Sequence, residues 1–294
     1  MKHNKYGDAI VSSEWLAEHL HDSDLRIFEC TTYLEYLPEG HDAPYRVASG
    51  QTDYDKGHIA GAGFLDIQNE LSEPESPSHL RFTMLPSNTL AEVFGQRGIG
   101  DGARVVLYAR GRNVWATRVW WMLRSIGFDG AAVLDGGFEK WVREGRQTST
   151  DRPVFAPATL TPSPRPEVFV GKETVAAAVG DPDTCLINAL EADLHRGDNP
   201  RYGRRGRIPG SVNVPSASLV DPDTNTFVSA EEAAASFQKA GADPSRPALV
   251  YCGGGIAATL DAFLLHQLGY EQVSVYDASM SEWARDESMP VEVD

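Results

Sequence analysis

The amino-acid sequence predicts a duplicated α/β protein, in which each of two domains has a central, mainly parallel sheet flanked by helices. The chain has 294 residues, which suits two domains of ordinary size. Blocks of sequence recur in the same order in its two halves. In each half, short apolar runs typical of buried strands alternate with segments of helical periodicity, and such alternation is typical of parallel sheets covered by helices.

The repeat is clearest near the end of each half. "VLDGGFEKW" at 133–141 matches "VYDASMSEW" at 275–283 at an offset of 142 residues, and the same offset places "SIGF" over "QLGY". "KGHIAGAGFLDI" resembles "RGRIPGSVNVPS", and "IVSSEWLAEHL" from Ile10 resembles "FVGKETVAAAV" from Phe169. Four matched blocks in one order indicate a duplicated domain.

The predicted strands and helices follow the same plan in both halves. The first half has the strand-like runs "LRIFEC", "RVVLYA" and "AAVLD", and the second has "TCLINA", "ALVYC" and "QVSVYD". Helices are predicted at "SNTLAEVFGQRG" and "SAEEAAASFQKAG". In the latter, Ser229 and Glu232 have the spacing of a capping box, and Gly241 can end the helix. Sites in such sheets form at the carboxyl ends of strands.

A proline-rich segment separates the two copies. Proline lacks a backbone donor and restricts the chain to extended shapes, which is typical of a fairly stiff linker. The prolines of this segment are Pro153, Pro157, Pro162, Pro164 and Pro166. We therefore predict a first domain over residues 1–150, a linker over 151–166 and a second domain over 167–294.

Composition limits the class of protein. Lys and Arg number 26 against 42 Asp and Glu, and the net charge of −16 argues against a general nucleic-acid surface. No run approaches the ~18 consecutive apolar residues of a membrane span. The N-terminal stretch "MKHNKYGDAIVSSEW" has no apolar segment typical of a secretory signal, so a cytoplasmic location is expected. The three cysteines are too scattered for a disulfide framework or a metal site, and no cofactor is implied.

The strand "ALVY" is followed by a loop in which Cys252 precedes three glycines and a helix. Glycines allow successive N–H groups to converge on one point, and the helix N-terminus adds free donors and the positive end of its dipole. We predict an anion-binding cradle formed by the residues that follow the cysteine: Gly253, Gly254, Gly255, Ile256 and Ala257. Such a cradle would favour the thiolate form of Cys252 and could hold a persulfide, Cys–S–S⁻.

A cysteine in a strand is most often a small buried hydrophobe, and this is the interpretation that we favour for Cys30 and Cys185. For Cys252, the position at the end of a strand and the glycines behind it favour a nucleophile. Cysteine phosphatases use a similar loop, but their C-x5-R pattern requires an arginine where this chain has Ala258. Phosphatase activity is therefore not expected.

The duplicated layout and the motifs "GHIAGA", "RIPGSVNVP", "VYCGGGIAAT" and "VYDASMSEW" together resemble the tandem-domain rhodanese family of sulfurtransferases, over nearly the whole chain. The resemblance implies two rhodanese-like α/β/α domains, of which the N-terminal one is inactive and the C-terminal one carries a cysteine that cycles between thiol and persulfide. Members of this family take sulfur from thiosulfate or 3-mercaptopyruvate and give it to cyanide or thiols. In the first copy, Ala109 aligns with Cys252 and leaves no nucleophile.

The chain departs from the family at positions that bear on the sulfur donor. Its loop lacks the Arg and Lys that often follow the cysteine in thiosulfate-type enzymes, and also the serine and threonine of mercaptopyruvate-type enzymes. Gln68 and about Thr83 stand where mercaptopyruvate-type members have an Asp and a His, and Leu190 stands where an arginine usually binds substrate. These losses favour thiosulfate, a small dianion that needs little more than N–H groups and one or two arginines.

A cluster of arginines is the candidate source of positive charge for an anionic substrate, because guanidinium binds oxyanions through paired donors. Five arginines fall within twelve residues: Arg196, Arg201, Arg204, Arg205 and Arg207. Of these we select Arg196 and Arg201 as substrate-binding candidates, the alternative being a solvated loop partly neutralised by nearby acidic residues. In the first copy, Arg110 or Arg112 could reach the cleft of the other domain, although we favour a scaffold role for that loop.

The sequence thus predicts a thiosulfate sulfurtransferase that passes sulfur through Cys252 to cyanide or to a thiol acceptor such as thioredoxin or glutathione. The alternatives are a 3-mercaptopyruvate sulfurtransferase and a non-catalytic persulfide carrier. No nucleic acid and no membrane are expected as partners.

Overall fold

The computed structural model describes residues 6–38, 40–74, 76–77 and 79–294. Residues 1–5, part of the N-terminal stretch for which we expect no secretory signal, lie outside the described residues. Within the described residues, the chain forms two five-stranded parallel sheets, one on each side of the proline-rich segment. Helices flank both sheets, which confirms the predicted fold class of two α/β/α domains.

The first domain is built from short strands and helices that alternate along the chain. Its elements, in chain order, are β1 (Ile10–Val11), α1 (Ser13–His19), β2 (Leu25–Glu29), β3 (Thr32–Tyr36), β4 (Tyr45–Ser49), α2 (Gln51–Lys56), β5 (His58–Ile59), β6 (Ala62–Phe64), α3 (Ser87–Gln96), β7 (Arg104–Tyr108), α4 (Val114–Ser125), β8 (Ala131–Leu134), α5 (Gly137–Arg143) and β9 (Thr148–Ser149).

The second domain repeats this plan with fewer elements. They are β10 (Phe169–Val170), α6 (Lys172–Ala178), β11 (Cys185–Asn188), α7 (Ala192–Arg196), β12 (Val212–Asn213), a 3₁₀ helix (Ser216–Leu219), α8 (Ala230–Ala240), β13 (Ala248–Tyr251), α9 (Ala257–Gln267), β14 (Val273–Tyr276) and α10 (Ser279–Trp283).

The two sheets have equivalent strand orders, β1-β8-β7-β2-β6 and β10-β14-β13-β11-β12, and every pairing within them is parallel. The central strand of each sheet, β7 or β13, leads into the loop that the sequence comparison aligned. The first domain also has an antiparallel hairpin, β3–β4, and a short antiparallel pair, β5–β9, neither of which the sequence analysis predicted. Because both sheets are parallel, the loop after β13 lies at the edge of the sheet where sites form.

Local signals in the sequence determine several of these elements. At the start of α8, the Ser229 hydroxyl accepts the Glu232 N–H and the Glu232 carboxylate accepts the Ser229 N–H, which completes the predicted capping box. Gly241 ends the helix in the left-handed region, at φ 94°. The six predicted strands correspond to β2, β7, β8, β11, β13 and β14.

The two domains pack together through the equivalent helices α4 and α9. The hydroxyls of Thr117 and Thr259, which the repeat offset relates, lie 2.9 Å apart, and the Trp121 indole donates to the Thr259 carbonyl at 2.9 Å. One face of α9 covers its own sheet and another meets α4, so the helix is apolar on nearly all sides. The loop that precedes α9 therefore lies close to the first domain.

Two equivalent aspartates also connect the domains. Asp135 accepts the backbone N–H of Phe227 at 2.8 Å, and Asp277 accepts the backbone N–H of Met84 at 3.1 Å. Each aspartate follows the strand next to the central one and reaches a backbone donor of the other domain. The duplication is thus also visible in the contacts between the copies.

The proline-rich segment runs in extended form against the first domain. The Ser163 N–H donates to the Ile126 carbonyl and the Arg165 N–H donates to the Ser125 carbonyl, both at 2.7 Å. No strand or helix is assigned to residues 151–166. The domain boundaries at 150 and 166 stay a prediction. No described helix combines the length and apolar character that crossing a membrane requires.

Candidate active site

The candidate nucleophile lies in the loop that connects β13, the middle strand of the second sheet, to α9. Cys252 follows the last residue of β13, and its side chain is 2% exposed. The other two cysteines, Cys30 and Cys185, are also buried and free, and both belong to the apolar core. Burial raises the pKa of the Cys30 and Cys185 thiols, which keeps them protonated and unreactive.

Two backbone N–H groups of α10 bind the carbonyls of Cys252 and Gly253. The Met280 N–H donates to the Cys252 carbonyl at 3.1 Å, and the Ser281 N–H donates to the Gly253 carbonyl at 2.8 Å. In a planar trans peptide, the C=O and the N–H of the following residue point in opposite directions. The N–H groups of Gly253 and Gly254 therefore point away from Met280 and Ser281.

The N–H groups of this loop are available to an anion. From Gly253 to Ala258, none of them has a hydrogen-bond acceptor within the part of the chain that the structure describes. The last two belong to the first turn of α9, an 11-residue helix whose N-terminus carries the positive end of the dipole. Loop and helix together supply the donors that an anion cradle requires.

Ser279 holds Cys252 in position through a hydrogen bond to its backbone. Its hydroxyl accepts the Cys252 N–H at 3.0 Å and donates to the Tyr276 carbonyl at 2.7 Å, so it connects the loop to the end of β14. Ser279 has φ 51°, in the left-handed region that costs a residue with a Cβ about 1–3 kcal/mol. The equivalent residue of the first copy is Gly137, at φ 57°. We therefore interpret Ser279 as a residue kept for its hydroxyl.

Two buried tyrosines lie against the glycines of the loop. A Cβ on Gly253 would come within 2.0 Å of Tyr202 Cζ, and a Cβ on Gly254 would come within 2.7 Å of the Tyr45 hydroxyl. Burial raises the pKa of both phenols, and the nearby Cys252 raises that of Tyr45 further. Both hydroxyls therefore stay protonated and can donate hydrogen bonds toward an anion at the loop.

Cys252 lines a pocket of about 110 Å³ between the two domains. The first domain contributes Tyr36 from the β3–β4 hairpin, Arg112 from the loop after β7 and Trp115 from the first turn of α4. The second domain contributes the loop that begins at Cys252 and, from the segment between α7 and β12, Arg201. A small anion in this pocket would contact both domains.

The structure brings most of the predicted site residues to the pocket. Those that line it are Cys252, Gly253, Gly254, Ile256, Ala257 and Arg201. Gly255 is not among the lining residues, and its carbonyl accepts a hydrogen bond from Arg118 at 3.1 Å. Arg196 does not line the pocket either, and its exposed guanidinium pairs with Asp198 at 2.7 Å. The part that each residue plays in substrate binding stays a prediction.

The two arginines considered in the first copy have different surroundings. Arg110 pairs with Glu29 of its own domain at 2.7 Å. Arg112 instead lines the pocket and donates to the hydroxyl of Ser216 in the second domain. A scaffold role, which we favoured from the sequence, therefore does not describe Arg112, because the loop after β7 lies at the domain interface.

The residues at the positions where the sequence departs from the rhodanese pattern are uncharged. Leu190 lines the pocket with a hydrocarbon side chain. Gln68 and Thr83 are not among the lining residues. Ala109, the counterpart of Cys252, is completely buried. None of these positions therefore places a charged side chain in the described lining of the pocket.

Sequence reasoning missed several residues that surround the loop. Tyr45 and Tyr202 carry no motif, and they come to the loop from distant parts of the chain. Ser279 lies in the recognised block "VYDASMSEW", but nothing local shows its backbone angle. A signal was available for Arg118, because a charged residue in the apolar run "VWATRVWWM" indicates a buried charge with specific partners.

Comparison with known proteins agrees with this architecture. The chain matches the family described as "Rhodanese-like domain" twice, over residues 12–144 and 186–286. It is 32% identical to the 3-mercaptopyruvate sulfurtransferase of Escherichia coli (strain K12) over 294 residues, which cover 96% of this chain and 97% of that protein. It is 30% identical to the thiosulfate sulfurtransferase of Gallus gallus over 295 residues, which cover 94% of this chain and 93% of that protein.

A solved structure has the same overall arrangement. The crystal structure of SseA from Escherichia coli, described as showing the "Rhodanese" fold of 3-mercaptopyruvate sulfotransferases, matches with a TM-score of 0.78 and 28% identity. The match covers 93% of this chain and 99% of that one. The resemblance found in the sequence is thereby confirmed. The chain belongs to the rhodanese family and carries two rhodanese-like domains in tandem.

Proposed function

We propose that the protein is a sulfurtransferase that takes the outer sulfur of thiosulfate onto Cys252 and passes it to cyanide or to a thiol. In the first step, the Cys252 thiolate attacks the outer sulfur of thiosulfate, whose S–S bond breaks, and the electron pair leaves with sulfite. In the second step, cyanide attacks the terminal sulfur of the persulfide, which yields thiocyanate and restores the thiolate. Atoms and charge balance in both steps.

The observation that carries this proposal is the row of N–H groups after Cys252 that have no acceptor among the described residues. In both steps negative charge rests on sulfur at the loop, first on the thiolate and then on the terminal sulfur of the persulfide. Free N–H donors, the N-terminus of α9 and the hydroxyls of Tyr45 and Tyr202 stabilise charge at that place. A cysteine kept only for packing would need none of these donors.

The lining of the pocket favours thiosulfate over 3-mercaptopyruvate. A carboxylate is best bound by the paired donors of an arginine, and the position that would supply one in the family carries Leu190. The oxygens of thiosulfate can instead be met by Arg112 and Arg201, which line the pocket with Cys252. A pocket of about 110 Å³ suits a small dianion.

The proposal is tested by steady-state formation of thiocyanate from thiosulfate and cyanide, together with the intact mass of protein incubated with each donor. We expect many thiocyanate ions per chain, and a mass gain of one sulfur from thiosulfate. At most one thiocyanate per chain would identify a persulfide carrier. A mass gain from 3-mercaptopyruvate but none from thiosulfate would overturn the choice of donor. Thioredoxin and glutathione, the proposed thiol acceptors, are then tested in place of cyanide.

Arg201→Met is expected to raise the KM for thiosulfate about tenfold and to leave kcat within about twofold. The change removes a charged contact to the donor oxygens, while the methionine side chain can keep packing over Tyr36, whose ring centre lies 4.4 Å from Arg201 Cζ. The measurement is the thiosulfate dependence of thiocyanate formation. Arg196→Met is the matched control, because Arg196 pairs with Asp198 outside the pocket. Equal KM values in the two variants would exclude Arg201 as a donor contact.

A further inference from the structure

Arg118 is a fully buried arginine of the first domain, and its guanidinium reaches the loop that follows Cys252. It lies in the middle of α4 and is 0% exposed. Burying a guanidinium is unfavourable unless it has several well-placed partners. The contacts of the Arg118 guanidinium therefore indicate the role of this residue.

The first contact is with the loop itself. Arg118 Nη1 donates to the Gly255 carbonyl at 3.1 Å. Since the peptide between Gly255 and Ile256 is planar, the Ile256 N–H points to the side opposite Arg118. Ile256 lines the pocket with Cys252 and Gly255 does not, and the Ile256 N–H has no acceptor within the described residues, so it is free to meet an anion in the pocket. The reverse orientation of the same peptide would place a carbonyl oxygen there and repel an anion.

The remaining contacts hold the guanidinium in place. Arg118 Nη2 lies 2.7 Å from an Asp277 carboxylate oxygen and donates to the Phe82 carbonyl at 2.5 Å. Phe82 is buried at φ 64°, a conformation that a residue with a Cβ rarely adopts, and its carbonyl is one of these acceptors. The other Asp277 oxygen accepts the Met84 N–H at 3.1 Å. The guanidinium thus joins a segment of the first domain to the loop and to the end of β14.

Among the residues that the structure describes, this arrangement occurs on one side of the duplicated molecule only. The residue equivalent to Arg118 in α9 is Leu260, which cannot donate a hydrogen bond. Asp135, the counterpart of Asp277, accepts the backbone N–H of Phe227. The loop on that side contains Ala109 in place of the cysteine. The arginine is therefore present beside the loop whose reactive sulfur needs directed N–H groups. In the copy whose loop has no cysteine, a leucine replaces it.

We infer that Arg118 is a positioning residue of the sulfurtransferase: by holding the Gly255 carbonyl, it keeps the Ile256 N–H directed to the sulfur of Cys252. The first domain then contributes to the reactivity of the cysteine as well as to the pocket. The inference deepens the proposed function and rests on it for the role of Cys252 as the sulfur-carrying group.

The test uses alkylation of Cys252 by iodoacetamide, which requires no sulfur donor and so does not depend on the proposed activity. In Arg118→Lys, a single ammonium group replaces the paired donors. We expect alkylation of Cys252 at neutral pH, followed by mass analysis of its peptide, to slow about tenfold, and its pH–rate profile to move to higher pH. Arg118→Met is expected to slow it at least as much.

Thr117→Val is the matched control. It lies one residue earlier on α4 and loses the interdomain contact with Thr259, but it does not touch Gly255. It is expected to lower Tm and to leave the alkylation profile unchanged. If the Arg118 variants lower Tm but keep the wild-type profile, Arg118 has only a structural role and the inference fails.

A measurement on the unsubstituted protein decides the question even where both Arg118 variants fail to fold. With isoleucine labelled by ¹⁵N, the Ile256 amide proton is expected to move downfield as pH rises through the ionisation of Cys252, and to stay in place in Cys252→Ser. An Ile256 resonance that does not respond in the unsubstituted protein would overturn the inference. Absence of thiocyanate formation with a normal Ile256 response would instead count against the proposed function alone.

Discussion

Cys252→Ala is expected to lower thiocyanate formation by on the order of 10³-fold or more, to the uncatalysed background. The thiolate of Cys252 is the atom to which sulfur becomes attached, and the loop's N–H groups cannot carry a covalent intermediate without it. The measurement is steady-state thiocyanate formation, with intact mass after incubation with thiosulfate as a second readout. No mass gain is expected in this variant.

Cys185→Ala is the matched control for that prediction. Cys185 lies in β11, the strand next to β13, and is buried in the core, where its thiol is protonated. Its removal is expected to change activity by less than about twofold, with a modest loss of stability. If Cys252→Ala retained the activity and the mass gain of the unsubstituted protein, the persulfide would lie elsewhere and the proposed function would be wrong.

Gly255→Ala is expected to lower the free energy of unfolding by about 3 kcal/mol and the rate of thiocyanate formation by about 100-fold. Gly255 has φ 71°, and a Cβ there would lie 2.1 Å from the Asp277 carbonyl oxygen. Backbone oxygen cannot rotate away as a flexible side chain can, so the loop itself must shift. A shift of about 1 Å would misdirect the N–H groups relative to sulfur.

The control for this prediction is Gly102, which has neither a left-handed backbone angle nor a neighbouring atom that a Cβ would contact. A Cβ on Gly102 would have no atom within 4 Å, and φ of Gly102 does not lie in the left-handed region. Gly102→Ala is expected to change stability by no more than about 0.5 kcal/mol and to leave activity unchanged. Chemical denaturation and thiocyanate formation measure the two effects. Full activity in Gly255→Ala would show that the observed loop conformation is not required for catalysis.

Several features of the fold follow from local sequence. Alternating apolar runs and helical patterns predicted three of the five strands in each sheet, because strand and helix periodicity are set by neighbouring residues. Ser229 and Gly241 marked the ends of α8 for the same reason, since capping involves groups within one helical turn. The location of Cys252 at the carboxyl end of a strand also followed, because parallel sheets place their strand ends at one edge.

The duplicated pattern determined which half carries the nucleophile, because Ala109 and Cys252 occupy equivalent places in the two copies. It did not determine which surfaces meet. Arg196 and Arg201 are five residues apart in one arginine-rich segment, but only Arg201 lines the pocket, since the chain turns between them after α7. Proximity in sequence was therefore a poor guide to proximity at the site.

Tertiary structure alone decided the surroundings of the sulfur. Tyr45 and Arg112 come from the first domain and line the pocket, and the packing of α4 against α9 is one of the contacts that hold the two domains together. The hydroxyl of Ser279, a residue in the left-handed region, accepts the Cys252 N–H across a separation of 27 residues in sequence. Local sequence therefore determined where the cysteine and its glycines stand in the chain. The packing of the two domains determined which donors face it, because such contacts join residues far apart in sequence.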